Sequence, residues 1–297
     1  MIYGIRTVLR YCLGRDIAGR HMAVYPDDTF IVSYPRSGNT WTRFLVANLL
    51  HPDEPVTFEN IERIIPDSEA QSNRFLRSLP KPRLIKSHEY FHPRFRKVIY
   101  IVRDPRDVAL SYYNFQRKYR QIEDGYPISQ YALDFVKGQR GLGDWGTWSE
   151  HVNSWISTRR GQPEFLLLRY EDMMTDTGRE LAKLAWFLGF EPTPTLLAST
   201  VESSSANRLR ELERTQGKEW VSTKDRRNDI PFIGAATSGG WKKKLPANAA
   251  ATIEKAWGPL MQALGYGLTT GARPEFDLPR MESSPDLHPT FHGESSG

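Results

Sequence analysis

Tyr34-Pro35-Arg36-Ser37-Gly38-Asn39-Thr40-Trp41 lies between Thr29-Phe30-Ile31-Val32-Ser33, a β-branched and aromatic run, and a stretch in which Phe44, Leu45, Leu49 and Leu50 recur at helical spacing. The run reads as a buried strand and the stretch as a helix, so the residues between them form a strand-to-helix turn. The first turn of a helix carries amide groups without internal partners and the positive end of the helix dipole. Ser37, Gly38, Asn39 and Thr40 add hydroxyls, an amide and room for close backbone approach. Such a turn is an anion site for a phosphate or sulfate. It is P-loop-like but not the loop of nucleoside triphosphatases: Gly-Lys-Ser/Thr occurs nowhere, and the basic residue, Arg36, precedes the glycine.

A second strand, turn and helix is read in Val98-Ile99-Tyr100-Ile101-Val102-Arg103-Asp104-Pro105-Arg106-Asp107-Val108-Ala109-Leu110-Ser111, with Pro105 suited to a first helical turn. Arg103 at the strand end and Ser111 further along the helix can approach one ligand from two sides. The plain alternative is that Arg103, Asp104, Arg106 and Asp107 form a solvated charge cluster. Between the two units, Ile85-Lys86-Ser87-His88 ends a short strand and puts His88 at the carboxyl edge, where open α/β sheets bind ligands.

Together these segments resemble the sulfotransferases that use 3′-phosphoadenosine 5′-phosphosulfate (PAPS), in their soluble cytosolic-type branch, over roughly residues 28–266. Trp148-Ser149-Glu150-His151-Val152-Asn153-Ser154-Trp155 and Leu168-Arg169-Tyr170-Glu171-Asp172-Met173 extend the match. The resemblance implies that Arg36, Ser37, Gly38, Asn39 and Thr40 hold the 5′-phosphosulfate and that Arg103 and Ser111 hold the 3′-phosphate. It places Trp41, Tyr170 and Ser204 at the adenine, Gly239 and Lys242 in a loop at the donor, and His88 with Lys86 at the reacting centre.

Sulfuryl transfer needs a base for the acceptor proton and positive charge for the departing phosphate. An imidazole titrates near neutrality, and general base catalysis contributes typically ~10²–10⁴-fold, which makes His88 the expected base. His151, in a helical and Trp-rich setting, is the second candidate and is expected to be packing. Arg36 is expected beside the bridging oxygen, where a fixed positive fork stabilises developing charge.

The chain departs from the family pattern at three places. Arg36 stands where cytosolic-type members usually carry Lys, and Ala206 stands where an aromatic stacks on the adenine. Gly234, Ala235 and Ala236 replace Arg, Lys and the first Gly of a loop that grips the 3′-phosphate, while Gly239, Trp241 and Lys242 are retained. Arg226, Arg227, Lys242, Lys243 or Lys244 are the candidates to fill that gap.

At 297 residues and 39% hydrophobic content the chain can bury one substantial core. A net charge of +5 suits an anionic nucleotide donor, whereas no basic tract or motif points to nucleic acid. The single cysteine, Cys12, allows no intrachain disulfide and fits a cytoplasmic setting. No metal-ligand cluster and no apolar stretch near the roughly 18 residues of a membrane span are evident. Residues 1–22 read as a basic amphipathic helix packing on the domain, with peripheral membrane contact through 1–20 the less favoured role. Residues 23–268 form the expected domain, and 269–297, rich in Pro, Ser, Glu and Gly, read as a disordered tail.

Helices are expected near 40–50, 105–118, 147–159, 178–189 and 247–264, alternating with strands near 29–34, 84–87, 98–103 and 165–170. Such alternation predicts a single α/β domain with a mostly parallel central sheet flanked by helices. Residues 116–146 are expected as an insertion over the acceptor side. The expected activity is metal-free, in-line transfer of a sulfuryl group from PAPS to a hydroxyl or amine of a small-molecule acceptor. A nucleoside-phosphate kinase-like enzyme and a non-catalytic nucleotide-binding protein are the alternatives.

Overall fold

The computed structural model describes residues 16–234 and 236–269. Strands β1 (Thr29–Ser33), β2 (Leu84–Ser87), β3 (Lys97–Val102) and β4 (Phe165–Arg169) form one sheet in the order β2-β1-β3-β4, with every pairing parallel. Parallel neighbours need long crossover connections, and helices supply them. In chain order these are α1 (Asn39–Leu50), α2 (Ile61–Ile64), α3 (Asn73–Ser78), α4 (Pro105–Lys118), α5 (Ile128–Val136) and α6 (Trp148–Arg159). They continue with α7 (Tyr170–Thr175), α8 (Thr177–Leu188), α9 (Pro194–Ser203), α10 (Ala206–Gln216), α11 (Trp241–Lys244) and α12 (Ala247–Ala263).

Successive strand residues point to opposite faces, and both faces are covered, which is why β1 is buried along its whole length. Phe30, Val32, Val98, Tyr100 and Val102 pack on one side under α4, α5, α6 and α12. Ile31, Ile99, Ile101 and Leu168 pack on the other under α1, α8 and α10. The expected strands and five expected helices are all present, with ends shifted by a residue or so.

The plain alternative for the charges after β3 is excluded, and one expectation needs correction. The charges after β3 are not a solvated cluster: Arg106 is 2% exposed, donates to both carboxylate oxygens of Asp104 (2.9 and 2.6 Å) and to Glu254 Oε1 at 2.5 Å, and lies over the Trp241 ring. This network ties α4 to α12, because a buried guanidinium must find carboxylate partners. Residues 116–146 are also more than an overlying insertion. α5 within them carries Tyr131 and Phe135 into the core. Residues 1–15 and 270–297, where an amphipathic helix and a disordered tail are expected, lie outside the described residues. Within the expected N-terminal segment, Gly19–His21 form a 3₁₀ turn between the buried Ala18 and Met22. No helix among the described residues is long and apolar enough to cross a membrane.

His151 is a core residue. It is wholly buried on α6; Nε2 lies 3.0 Å from the carbonyl of His88, and Nδ1 lies 2.9 Å from the Tyr100 hydroxyl. A carbonyl only accepts, so Nε2 carries the proton and Nδ1 accepts from Tyr100. Burial lowers its pKa from 6.5 to about 4. Such a group binds fewer protons folded than unfolded, so its contribution to stability is lost as pH falls from about 6.5 toward 4. His151→Gln keeps a donor and an acceptor but cannot titrate. By urea unfolding, the stability gap between wild type and this variant is expected to change in that direction between pH 7 and about pH 4.5, wild type losing ground; a gap independent of pH would contradict the assignment.

Candidate active site

The carboxyl ends of β1, β2 and β3 open into one cavity of about 1080 Å³. Because β1 runs between β2 and β3, with Val32 beside Ser87 and Ser33 beside Ile101, the turn after β1, His88 after β2 and Arg103 after β3 are spatial neighbours. Sequence separation is thereby converted into a shared wall.

The turn after β1 is shaped for close approach. Gly38 has φ 104°, in the left-handed region, and a Cβ there would come 2.6 Å from the Tyr170 ring. Only glycine meets both demands. No side chain caps the start of α1, so its first amides have no intrahelical partner. Ser37 Oγ is buried and has no hydrogen-bond partner among the described residues, and the same holds for Arg103 Nε. Buried polar groups are normally paired, so two orphaned donors beside a helix N-terminus fit an anionic ligand. Asn39 is turned the other way, its amide nitrogen donating to Ile31 O and Ser33 Oγ, both at 3.2 Å. Thr40 lines the cavity.

Arg36 crosses from this turn toward α4. Its Nε donates to Ser111 Oγ at 3.2 Å and its Nη2 to the Phe232 carbonyl at 3.0 Å, with Phe115 and Phe232 on its faces. Burial, reinforced by the charge of Arg103, lowers its pKa to about 10. Arg103 lies over the Tyr170 ring and donates to Arg36 O at 3.1 Å and Thr237 O at 3.2 Å. Arg36, Arg103 and Ser111, expected at two ends of one donor, thus sit together.

His88 places Nδ1 2.8 Å from the Ser33 carbonyl, which fixes the proton on Nδ1 and leaves Nε2 as the basic nitrogen. Burial, and then the nearby charge of Lys86, push its pKa well below 6.5. Trp145 stands edge-on to the ring. Lys86 is buried and fully engaged: its Nζ donates to both oxygens of Asp67 at 2.9 Å and to Glu69 Oε2 at 2.8 Å. The other oxygen of Glu69 accepts from the His88 amide at 2.8 Å and from the Ser87 hydroxyl at 3.1 Å. Burial opposes ionisation of Glu69, but the charge of Lys86 and hydrogen bonds from Asp67, Lys86 and the His88 amide bring it down to about 2. Glu69 therefore ties Lys86 to the main chain that carries His88. Sequence patterning gives no sign of Asp67 and Glu69, which lie in an irregular segment with no periodicity to mark them.

Across the start of α1, Trp41 meets Tyr170 edge to face and donates its indole N–H to Ser204 O at 3.0 Å. Ser204 is buried behind this pair, its hydroxyl accepting from Asn48 at 3.0 Å. Gly239 and Lys242 do not line the cavity: the Gly239 amide donates to Asp107 Oδ2 at 2.7 Å, and Lys242 is exposed beside Trp241. No group of three or more His, Cys, Asp or Glu residues that could hold a metal ion occurs among the described residues.

Comparison with known proteins identifies the family. The human protein named sulfotransferase 2B1 is 28% identical over 265 residues, covering 84% of this chain and 70% of the relative. The guinea-pig (Cavia porcellus) 3-beta-hydroxysteroid sulfotransferase is 28% identical over 242 residues, covering 78% and 83%. Among solved structures, retinol dehydratase in complex with androsterone and the inactive cofactor PAP superposes with a TM-score of 0.67 at 21% identity, covering 86% of this chain and 85% of the other. Mouse sulfotransferase SULT7A1 complexed with PAP gives 0.65 at 22% identity, covering 82% and 87%. At such identities the two structures speak to the fold, and the family rests on the sequence match. The family model described as the sulfotransferase domain spans residues 26–265, nearly the whole sheet-and-helix unit, and the chain belongs to that family.

Proposed function

We propose that this enzyme transfers the sulfuryl group of PAPS directly to a hydroxyl or amine of a small-molecule acceptor, with His88 as the base. The observation that carries the reading is the meeting of three strand ends in one cavity: an uncapped helix start at Gly38, the orphaned Arg103 Nε, and a neutral His88 whose Nε2 is left basic. The residues fit the donor. The amides at 37–40 and Arg36 suit the 5′-phosphosulfate, Arg103 and Ser111 the 3′-phosphate, and the Trp41–Tyr170 pair a flat base.

In this scheme the acceptor oxygen or nitrogen attacks sulfur as its proton passes to His88 Nε2. The bond from sulfur to the bridging oxygen breaks, and the electron pair leaves on the phosphate, where Arg36 meets it with fixed positive charge. Lys86, saturated by Asp67 and Glu69, is assigned a positioning role, holding through Glu69 the peptide on which His88 stands. The acceptor side is walled by Tyr112, Phe115, Tyr119 and Trp145, which suits a ring-bearing apolar body. The name of the guinea-pig relative, a hydroxysteroid sulfotransferase, supports an alcohol among such acceptors.

His88→Ala is expected to lower turnover with PAPS by roughly 10²-fold or more while leaving donor affinity nearly unchanged, as measured by product formation and calorimetry. Near-normal turnover in this variant would remove the base assignment. Because the imidazole is held neutral well below its usual range, the acidic limb of the kcat/KM profile is expected below pH 6.5; a limb above that value would contradict the burial argument.

Gly38→Ala is expected to weaken binding of adenosine 3′,5′-bisphosphate by on the order of tenfold, about 1.4 kcal/mol, since the added Cβ would come 2.6 Å from the Tyr170 ring and the turn must shift its amides to relieve the clash. Calorimetry on the folded variant reads this. Unchanged affinity would mean that the turn does not carry the nucleotide.

A further inference from the structure

Three guanidiniums from three different elements end on one short segment. Arg36 from the turn after β1 donates to the carbonyl of Phe232 at 3.0 Å, Arg210 from α10 donates to that of Gly234 at 3.0 Å, and Arg103 from the end of β3 donates to that of Thr237 at 3.2 Å. No ion pair to a carboxylate is formed by any of the three among the described residues. Arg210's other hydrogen bond is to Asn207 Oδ1 at 3.0 Å. Neutral carbonyls are weaker acceptors than phosphate oxygens by roughly half, so these cations can change partners at a gain.

Arg210 shares the cavity with Arg103, Gly234, Ala236 and Thr237. Its helix is anchored beneath it by the buried Leu209 and Leu212, so the base of this long side chain is fixed while its head is held only by neutral acceptors, Asn207 Oδ1 and Gly234 O. The other basic residues near this gap are less well placed. Arg227 is held between Asp124 and Asp229, Arg226 lies on the Tyr119 ring, Lys242 stands exposed beside Trp241, and Lys243 and Lys244 are exposed on the short helix α11, with Lys244 alone of these two lining the cavity.

We propose that Arg210 is a specificity residue for the donor. It supplies the positive charge that Gly234 and Ala235 lack and, with Arg103, binds the phosphate at the 3′ end of the nucleotide. The assignment rests on the reading that the donor carries phosphates at both ends. The carbonyls of Phe232, Gly234 and Thr237 then act as resting partners that occupy the cations, and a dianionic group replaces them.

The test is calorimetric titration of the full chain with adenosine 3′,5′-bisphosphate and with AMP. Wild type is expected to prefer the bisphosphate. Arg210→Ala and Arg210→Gln, the second keeping a donor for the Gly234 carbonyl without the charge, are expected to lose about tenfold to a hundredfold in bisphosphate affinity, the range for one charge-assisted hydrogen bond. Both should change AMP affinity less than about twofold, and Arg210→Lys should restore part of the preference. Arg227→Ala should change neither. If wild type discriminates but the Arg210 variants discriminate equally well, or lose both ligands in proportion, the assignment of Arg210 is overturned while the donor reading stands. If wild type binds the two ligands equally, the two-phosphate reading fails and the role of Arg210 fails with it.

Discussion

β1 is hydrogen-bonded on both edges to parallel neighbours, and the rest of the site depends on that constraint. Parallel pairing sends all strands out at the same edge, so the residues just beyond each strand are delivered to one place. The register sets Ser33 beside Ile101 and Val32 beside Ser87. Arg36, His88 and Arg103, each within a few residues of a strand end, therefore converge although tens of residues separate them in sequence. Burial of both sheet faces makes slippage costly, because a shift by one residue would exchange Phe30 and Val32 for Ile31 between two different cores.

The charges around this edge fall into two groups with different chemistry. Lys86 is saturated by two carboxylates, and its ammonium is raised above its usual range by Asp67 and Glu69 against the cost of burial. It is a fixed strut. Arg36 and Arg103 are instead held by carbonyls and a hydroxyl and lie near one another, and Arg36 is destabilised as a cation by burial and by the charge of Arg103. An incoming dianion relieves both burdens. In the proposed scheme, binding strength and catalysis draw on the same feature, cations kept with partners weaker than phosphate.

The legible part of the sequence is its local part. Strand, turn and helix signals around Arg36 and Arg103 lie within about a dozen residues of each other, and both units form as read. The resemblance to the family adds roles that no local pattern carries. Asp67 and Glu69 are illegible because they sit in an irregular stretch between short helices and reach Lys86 only through a long-range pairing. Asp104 and Arg106 look like surface charge because the partner that explains their burial, Glu254, lies 148 residues from Arg106. Arg210 is hidden for the same reason: on a strongly polar helix it reads as one more solvated cation, and only the return of the chain at Gly234 brings it a partner at the cavity.

The most direct measurement of the central claim is a crystal structure of the enzyme with adenosine 3′,5′-bisphosphate bound. The account predicts the 5′-phosphate on the amides of residues 37–40, the 3′-phosphate on Arg103 and Ser111, the base against the Trp41–Tyr170 pair, and His88 Nε2 open toward the acceptor side. A nucleotide with either phosphate bound away from the ends of β1 and β3 would contradict it.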